Sequence, residues 1–153
     1  MFIKSLELKN YRNYDELSMD FSSGTNLLYG DNAQGKTNIL ESIYLAATTK
    51  SHRGSKDREM IQFHADEAHI RLQYQKQGII HQLDMHLKKN RAKGAAIDRI
   101  PIRRSSELLG QIPVIFFSPE DLKIIKNGPS ERRKFMDLEL SQLESLYLSL
   151  IHI

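Results

Sequence analysis

No cysteine occurs in the 153 residues. Disulfides and cysteine-based zinc sites are therefore excluded, and a reducing, cytoplasmic setting fits. No apolar run reaches the length that crosses a bilayer, and the N-terminus has no signal-peptide pattern, so no membrane partner is expected. The six histidines form no H-E-x-x-H pair, the helical zinc-site pattern. No N-K-x-D guanine motif appears, which disfavours a GTPase. Repeats and low-complexity linkers are missing too.

What is present is an ordinary globular composition, 40% hydrophobic and 27% charged, long enough for one domain with a sizeable core. The net charge of +3 permits contact with nucleic acid without demanding it.

The chemistry concentrates in Gly30-Asp31-Asn32-Ala33-Gln34-Gly35-Lys36-Thr37, which matches the P-loop pattern G-x-x-x-x-G-K-[ST]. Gly30 and Gly35 can take turn conformations that a Cβ would hinder, so the loop can wrap its N–H groups round phosphates. Lys36 can reach the terminal phosphates as a point charge, and the Thr37 hydroxyl can sit on Mg²⁺. A helix opening there points its positive end at the anion. The surroundings agree. Thr25 to Tyr29 is a short apolar run that reads as a buried strand, and Ile39, Leu40, Ile43, Tyr44 and Ala47 form one helical face behind the loop.

The expected fold is α/β: a mixed sheet with a P-loop helix and antiparallel hairpins. Leu6 and Leu8 alternate with polar neighbours, as do Leu17, Met19 and Phe21, with a turn over 10–15. Thr48 to Arg58 reads as a polar loop, and Met60 to Phe63 as a short helix or strand. Ile70, Leu72 and Tyr74, then Ile79 to Leu87 after Gln77-Gly78, make a second hairpin. Its length and single apolar face argue against a doubly wound parallel sheet. His81, on the face of Leu83, reads as a core or edge residue. Ser105 to Leu109 is a short helix closed by Gly110, and Val114 to Phe117 a buried strand. A helix begins at Ser118-Pro119-Glu120-Asp121 with good capping and ends at Asn127-Gly128. Glu120 and Asp121 suit that cap better than a metal. A last helix, capped by Ser130, runs through Phe135, Leu138, Leu143, Leu146, Tyr147 and Leu150. No stop signal follows it, and the chain reads as truncated.

Several blocks together resemble the RecF family, bacterial recombination and repair ATPases of the SMC-like branch of the ABC ATPases. Leu6 to Tyr14 is similar to the family's L-x-N-[FY]-R-N opening. Gly30 to Ile43 looks like its G-x-N-x-x-G-K-T-x-[IL]-L-E-A-I, and Lys50 to Arg53 like its S-[FH]-R. Most specific is Phe117 to Leu122 with Lys126 to Asp137, which resembles F-S-P-E-D-L … K-G-x-P-x-x-R-R-x-F-[LM]-D. The resemblance implies that residues 1–153 are the N-terminal part of one ATPase head, a partial ABC/SMC-type lobe I. The family's signature motif, Walker B acids and switch histidine would lie further on. It also implies ATP and Mg²⁺ as cofactors, a head-to-head homodimer, and RecO- and RecR-type partners. DNA would be engaged at gaps and single-strand/double-strand junctions, in service of recombinase loading, replication maintenance and the SOS response. On this view the chain binds ATP but does not hydrolyse it. An SMC-type structural ATPase and a small-molecule P-loop kinase are the alternatives.

Further residues carry two readings each. The resemblance to SMC-like heads implies that Arg12 and Asn13 are nucleotide contacts, where the alternative is a polar turn. It likewise implies that Arg53 lies near the γ-phosphate or DNA, where the alternative is a solvated loop charge. Lys88, Lys89, Arg91 and Lys93 are contacts to DNA phosphates or a solvated face. Arg132, Arg133 and Lys134 form a second basic cluster, in which the arginine pair can instead tie the last helix to the sheet. No aromatics interleave either cluster, which argues against base stacking.

Overall fold

The computed structural model describes residues 1–119, 128–144 and 147. Six strands form one sheet in the order β2-β1-β3-β4-β5-β6, and every described ladder is antiparallel. The strands are β1 (Phe2–Tyr11), β2 (Tyr14–Asp20), β3 (Glu67–Lys76), β4 (Ile79–Lys88), β5 (Gly94–Ile97) and β6 (Ile100–Pro101). The helices are α1 (Lys36–Thr48), α2 (Asp57–Met60), α3 (Ser105–Leu108) and α4 (Pro129–Leu143).

Period-two alternation explains the sheet. Leu6 and Leu8 on β1, Ala68, Ile70, Leu72 and Tyr74 on β3, and Leu83, Met85 and Leu87 on β4 are all buried, while their neighbours face away. Register follows from that burial, because a slip of one residue would turn the whole apolar set outward. Ile70 stands opposite both Leu8 and Met85. The β3–β4 turn has Gln77 at φ 51° and Gly78 at φ 83°, the left-handed pair that matches strand twist. Ile39, Leu45, Ala46 and Ala47 of α1, Met60, Leu108 and Ile112 complete the same core. His81 stacks on Tyr74, with ring centroids 5.4 Å apart, and its Nδ1 lies 2.7 Å from Asp98 Oδ2.

Several expectations are corrected. Thr25 to Tyr29 forms no strand, and Leu27 and Tyr29 are exposed. Among the described residues no strand lies beside it to supply a ladder. Val114 to Phe117 is likewise no strand, and Ile115 and Phe117 are exposed. The Gln142 side chain takes the ladder's place there: Val114 N–H donates to Gln142 Oε1 at 2.8 Å, and Gln142 Nε2 donates to Val114 O at 3.1 Å. Gly110, at φ 82°, lets this helix approach, since a Cβ would meet Gln142 O at 2.6 Å.

The buried face of α1 is rotated from the expected one. Glu41, Ser42 and Leu45 face inward with Ile39, and Leu40 is 44% exposed. α4 is capped by Gly128 with Pro129 at its first turn, so Ser130 sits inside it. It stops at Leu143, because Glu144 is extended. β5 and β6 are an additional hairpin closed by Asp98 and Arg99, both at positive φ. Most of the helix expected from Ser118 onward, including Glu120 and Asp121, lies outside the described residues.

Candidate nucleotide-binding site

The loop over 30–37 leads directly into α1, with Gly35 as the N-cap residue. Gly30 (φ 139°), Ala33 (φ 64°) and Gly35 (φ 96°) bend it through left-handed backbone. Gly35 is needed twice over. Its φ disfavours any Cβ, and a Cβ would meet the Asn13 amide at 2.6 Å and the Tyr14 hydroxyl at 2.7 Å. The crowding comes from the β1–β2 turn. Asn13 Nδ2 donates to Gln34 O at 3.2 Å, and Tyr14 OH donates to the same carbonyl at 3.3 Å. Asn38 Nδ2, in the first turn of α1, donates to Asn13 Oδ1 at 2.9 Å. The hairpin tip thus grips both the loop and the helix behind it.

Lys36 Nζ donates to the carbonyls of Gly30 (2.8 Å) and Asp31, so the ammonium lies over the loop. Thr37 is exposed in the first helical turn. The first N–H groups of an α-helix have no partner within it, and here they end at a glycine-bent loop. A cation over the loop, a hydroxyl in the first turn, and a helix N-terminus opening at Gly35 suit a nucleotide's phosphates and their Mg²⁺.

Arg12 sits next to Asn13 but works on other atoms. Its Nε and Nη2 donate to Glu41 Oε2 and Oε1, both at 2.8 Å. Nη2 also donates to Ser55 Oγ at 3.0 Å, and Nη1 to Glu59 O at 3.0 Å. Glu41 has no exposure at all, and Ser51 Oγ donates to its Oε1 at 2.9 Å. Burial alone would push the Glu41 carboxyl up. The hydrogen bonds from Arg12 and Ser51, with the charges of Arg12 and Arg53, outweigh it and hold the group below its ordinary value. Burial pushes the neighbouring Tyr11 hydroxyl up, helped by the Glu41 charge. Sequence reasoning missed this network. Its signal was an acid on the core face of a helix, which requires a cation from elsewhere.

The other predicted residues are more scattered. Arg53 is exposed, and its backbone N–H donates to Ser51 Oγ at 3.2 Å. Lys93 pairs with Asp57 at 2.9 Å, and Lys89 Nζ donates to Phe63 O at 3.0 Å. Lys88 ends β4 opposite Glu67, and Arg91 is exposed. Arg132, Arg133 and Lys134 lie exposed on α4, where Lys134 pairs with Glu131 at 3.0 Å.

An antiparallel sheet backing a P-loop helix is the N-terminal lobe of an ABC/SMC-type ATPase head, and the chain belongs to the AAA domain family, whose profile matches residues 5–150. Within that class its similarity is to RecF. It is 68% identical over 148 residues to the DNA replication and repair protein RecF of Lachnoclostridium phytofermentans, covering 97% of this chain and 41% of that protein. A solved structure of the recombination mediator protein RecF with ATPrS, of the RecFOR pathway, superposes with TM-score 0.90 at 34% identity. That match covers 96% of this chain and 40% of the other. A structure from work on ATP-driven dimerization of SMC ATPases matches with TM-score 0.70 at 21% identity, over 90% of this chain and 99% of that one, and shows the shared fold. The resemblance to RecF read from the sequence is thus borne out. The chain spans about two fifths of the length of the curated relatives it matches. Among the described residues, no helix is long and apolar enough to cross a membrane.

Proposed function

We propose that this chain binds Mg-ATP through Gly30 to Thr37 and forms the nucleotide-holding N-terminal part of a RecF-type DNA repair ATPase. One observation carries the reading: a P-loop bent through left-handed Gly30, Ala33 and Gly35 opens α1 while the β1–β2 hairpin tip holds it from outside. Lys36 meets the β- and γ-phosphates and Thr37 holds Mg²⁺. Asn13 fixes the loop through Gln34 O, and Arg12 fixes the first turns of α1 through Glu41. Exposed Arg53 faces the γ-phosphate or DNA.

In the whole protein the heads pair over two nucleotides in a homodimer and engage DNA at gaps and junctions. Lys88, Lys89, Arg91 and Lys93 supply phosphate contacts, with Lys88 and Arg91 the less occupied of the four. The likeness to RecF supports RecO- and RecR-type partners and a role in recombinase loading, replication maintenance and the SOS response. The protein works in the cytoplasm.

The chain alone binds ATP without turning it over. Hydrolysis needs a side chain free to orient the attacking water. Glu41 is closed off by Arg12 and Ser51. Calorimetric titration of the 153-residue chain with Mg-ATP, alongside Lys36→Ala, tests the binding. The heat is expected to vanish in the variant, and equal binding by both proteins would overturn the assignment. Phosphate release in the same samples should stay at background. Steady release abolished by Lys36→Ala would show that the chain is itself a hydrolase.

A further inference from the structure

The sheet face opposite α1 carries a second cluster of chemistry. Alternation that turns Ala68, Ile70 and Leu72 into the core turns Glu67, His69 and Arg71 the other way, and it does the same for Asp84 and His86 on β4. His69 and His86 are direct cross-strand partners, with ring centroids 4.2 Å apart at 69°. Glu67, two residues before His69 and on the same face, places Oε2 3.8 Å from His69 Nε2. One ligand atom from each of Glu67, His69 and His86 lies within 4.8 Å of the other two.

We propose that Glu67, His69 and His86 form a surface site for a first-row transition-metal dication, with Zn²⁺ the fitting probe, that clasps β3 to β4. Two imidazoles and a carboxylate are a known zinc donor set, and with bonds of about 2.0–2.2 Å a tetrahedral ion needs ligand atoms roughly 3.3 Å apart. The Glu67–His69 pair is already close to that spacing. The two-strand ladder fixes the Cβ positions, so the remainder is left to side-chain rotation.

The local charges permit a cation. Lys9 lies opposite His69, but its charge is met by Glu16 at 3.4 Å. Lys88 lies opposite Glu67 and opposes the cation. Arg71 is engaged by Asp84 at 2.6 Å and by Glu7 at 3.4 Å. The site borders an open groove of about 590 Å³ that also carries Lys9, Glu16, Arg71 and Asp84, so water can take the fourth position. The linear sequence gives no metal-binding spacing because the ligands come from two strands and meet only through the β3–β4 register.

The test is titration of the purified, tag-free 153-residue chain with ZnCl₂ by calorimetry, and with Co²⁺ by visible absorption. The expected result is one equivalent of Zn²⁺ bound, with Co²⁺ bands of tetrahedral intensity. His69→Ala and His86→Ala should each weaken binding at least about tenfold. Glu67→Gln should weaken it less, and His64→Ala, at an exposed histidine outside the cluster, should leave it unchanged. Zn²⁺ should raise the Tm of the parent chain and not of His69→Ala. The altered side chains stand on the outer face of the sheet, so circular dichroism should show every variant folded. Failure of the parent chain to take up one equivalent, or equal uptake by His69→Ala and His86→Ala, would overturn the site. Both results are independent of ATP binding.

Discussion

Leu72 on β3 and Leu27 just before the P-loop both stand in short apolar runs, and their fates are opposite. Leu72 is 0% exposed and Leu27 81%. β3 has a ladder on each side, to β1 and to β4, and helices cover its inner face. Thr25 to Tyr29 has no such ladder among the described residues. Apolar content therefore does not make a buried strand here. Backbone partners and a covering layer do, because an unpaired strand would bury N–H and C=O groups without hydrogen bonds. A second pairing principle operates at the hairpin tip, where buried Glu41 is held chiefly by Arg12, with Ser51 also donating to it.

The contrast predicts a ranking of substitutions. Glu41→Ala should be the most damaging, by about 3–5 kcal/mol in denaturant unfolding, because it strands the Arg12 charge in a mostly buried place. A loss below 1 kcal/mol would mean that water already satisfies Arg12. The same pair sets an acid limit. The Glu41 pKa is lower in the folded than in the unfolded chain, so its contribution is present above the ordinary carboxyl value of 4.5. It is lost as pH falls through the lowered value. Glu41→Gln should therefore flatten the decline of Tm below pH 4.5.

Leu72→Ala should follow, at about 2–5 kcal/mol, the range for a fully buried leucine. Gly35→Ala comes next, with about 1–3 kcal/mol of backbone strain at φ 96° and displacement of Asn13 and Tyr14. Its sharper readout is a loss of Mg-ATP affinity in calorimetry. Leu27→Ala should be smallest, within about 0.5 kcal/mol. A Leu27 effect matching that of Leu72 would erase the distinction between the two regions.

Legibility followed the same divide. The β1–β2 and β3–β4 hairpins could be read because one-sided burial prints an alternation on Leu6, Leu8, Ile70, Leu72 and Leu83. The position of the loop over 30–37 at the head of α1 could be read because the pattern has fixed residue types at fixed spacing. Val114 to Phe117 misled because a contiguous apolar run looks the same whether a strand or the Gln142 side chain satisfies its backbone. β5 and β6 escaped because Asp98-Arg99 is a weak turn signal without a glycine. The Arg12–Glu41 pair could not be read from spacing, because the fold alone brings the two residues together. The face of α1 was misjudged for the same reason, since it was assigned by hydrophobicity and Glu41 did not count toward it.

Arg12 and Asn13 are consecutive residues at one tight turn, yet they fasten different things: Asn13 holds the loop and the first turn of α1, and Arg12 holds Glu41 one turn deeper. The hairpin tip is in effect a bracket bolted at three points along the loop and helix. A bracket of that kind removes the freedom to slide one part past another. The P-loop, the first two turns of α1 and the β1–β2 hairpin are thereby tied to one another. A displacement of the loop would be passed through these bonds to the hairpin, whose outer strand β2 is an edge of the sheet.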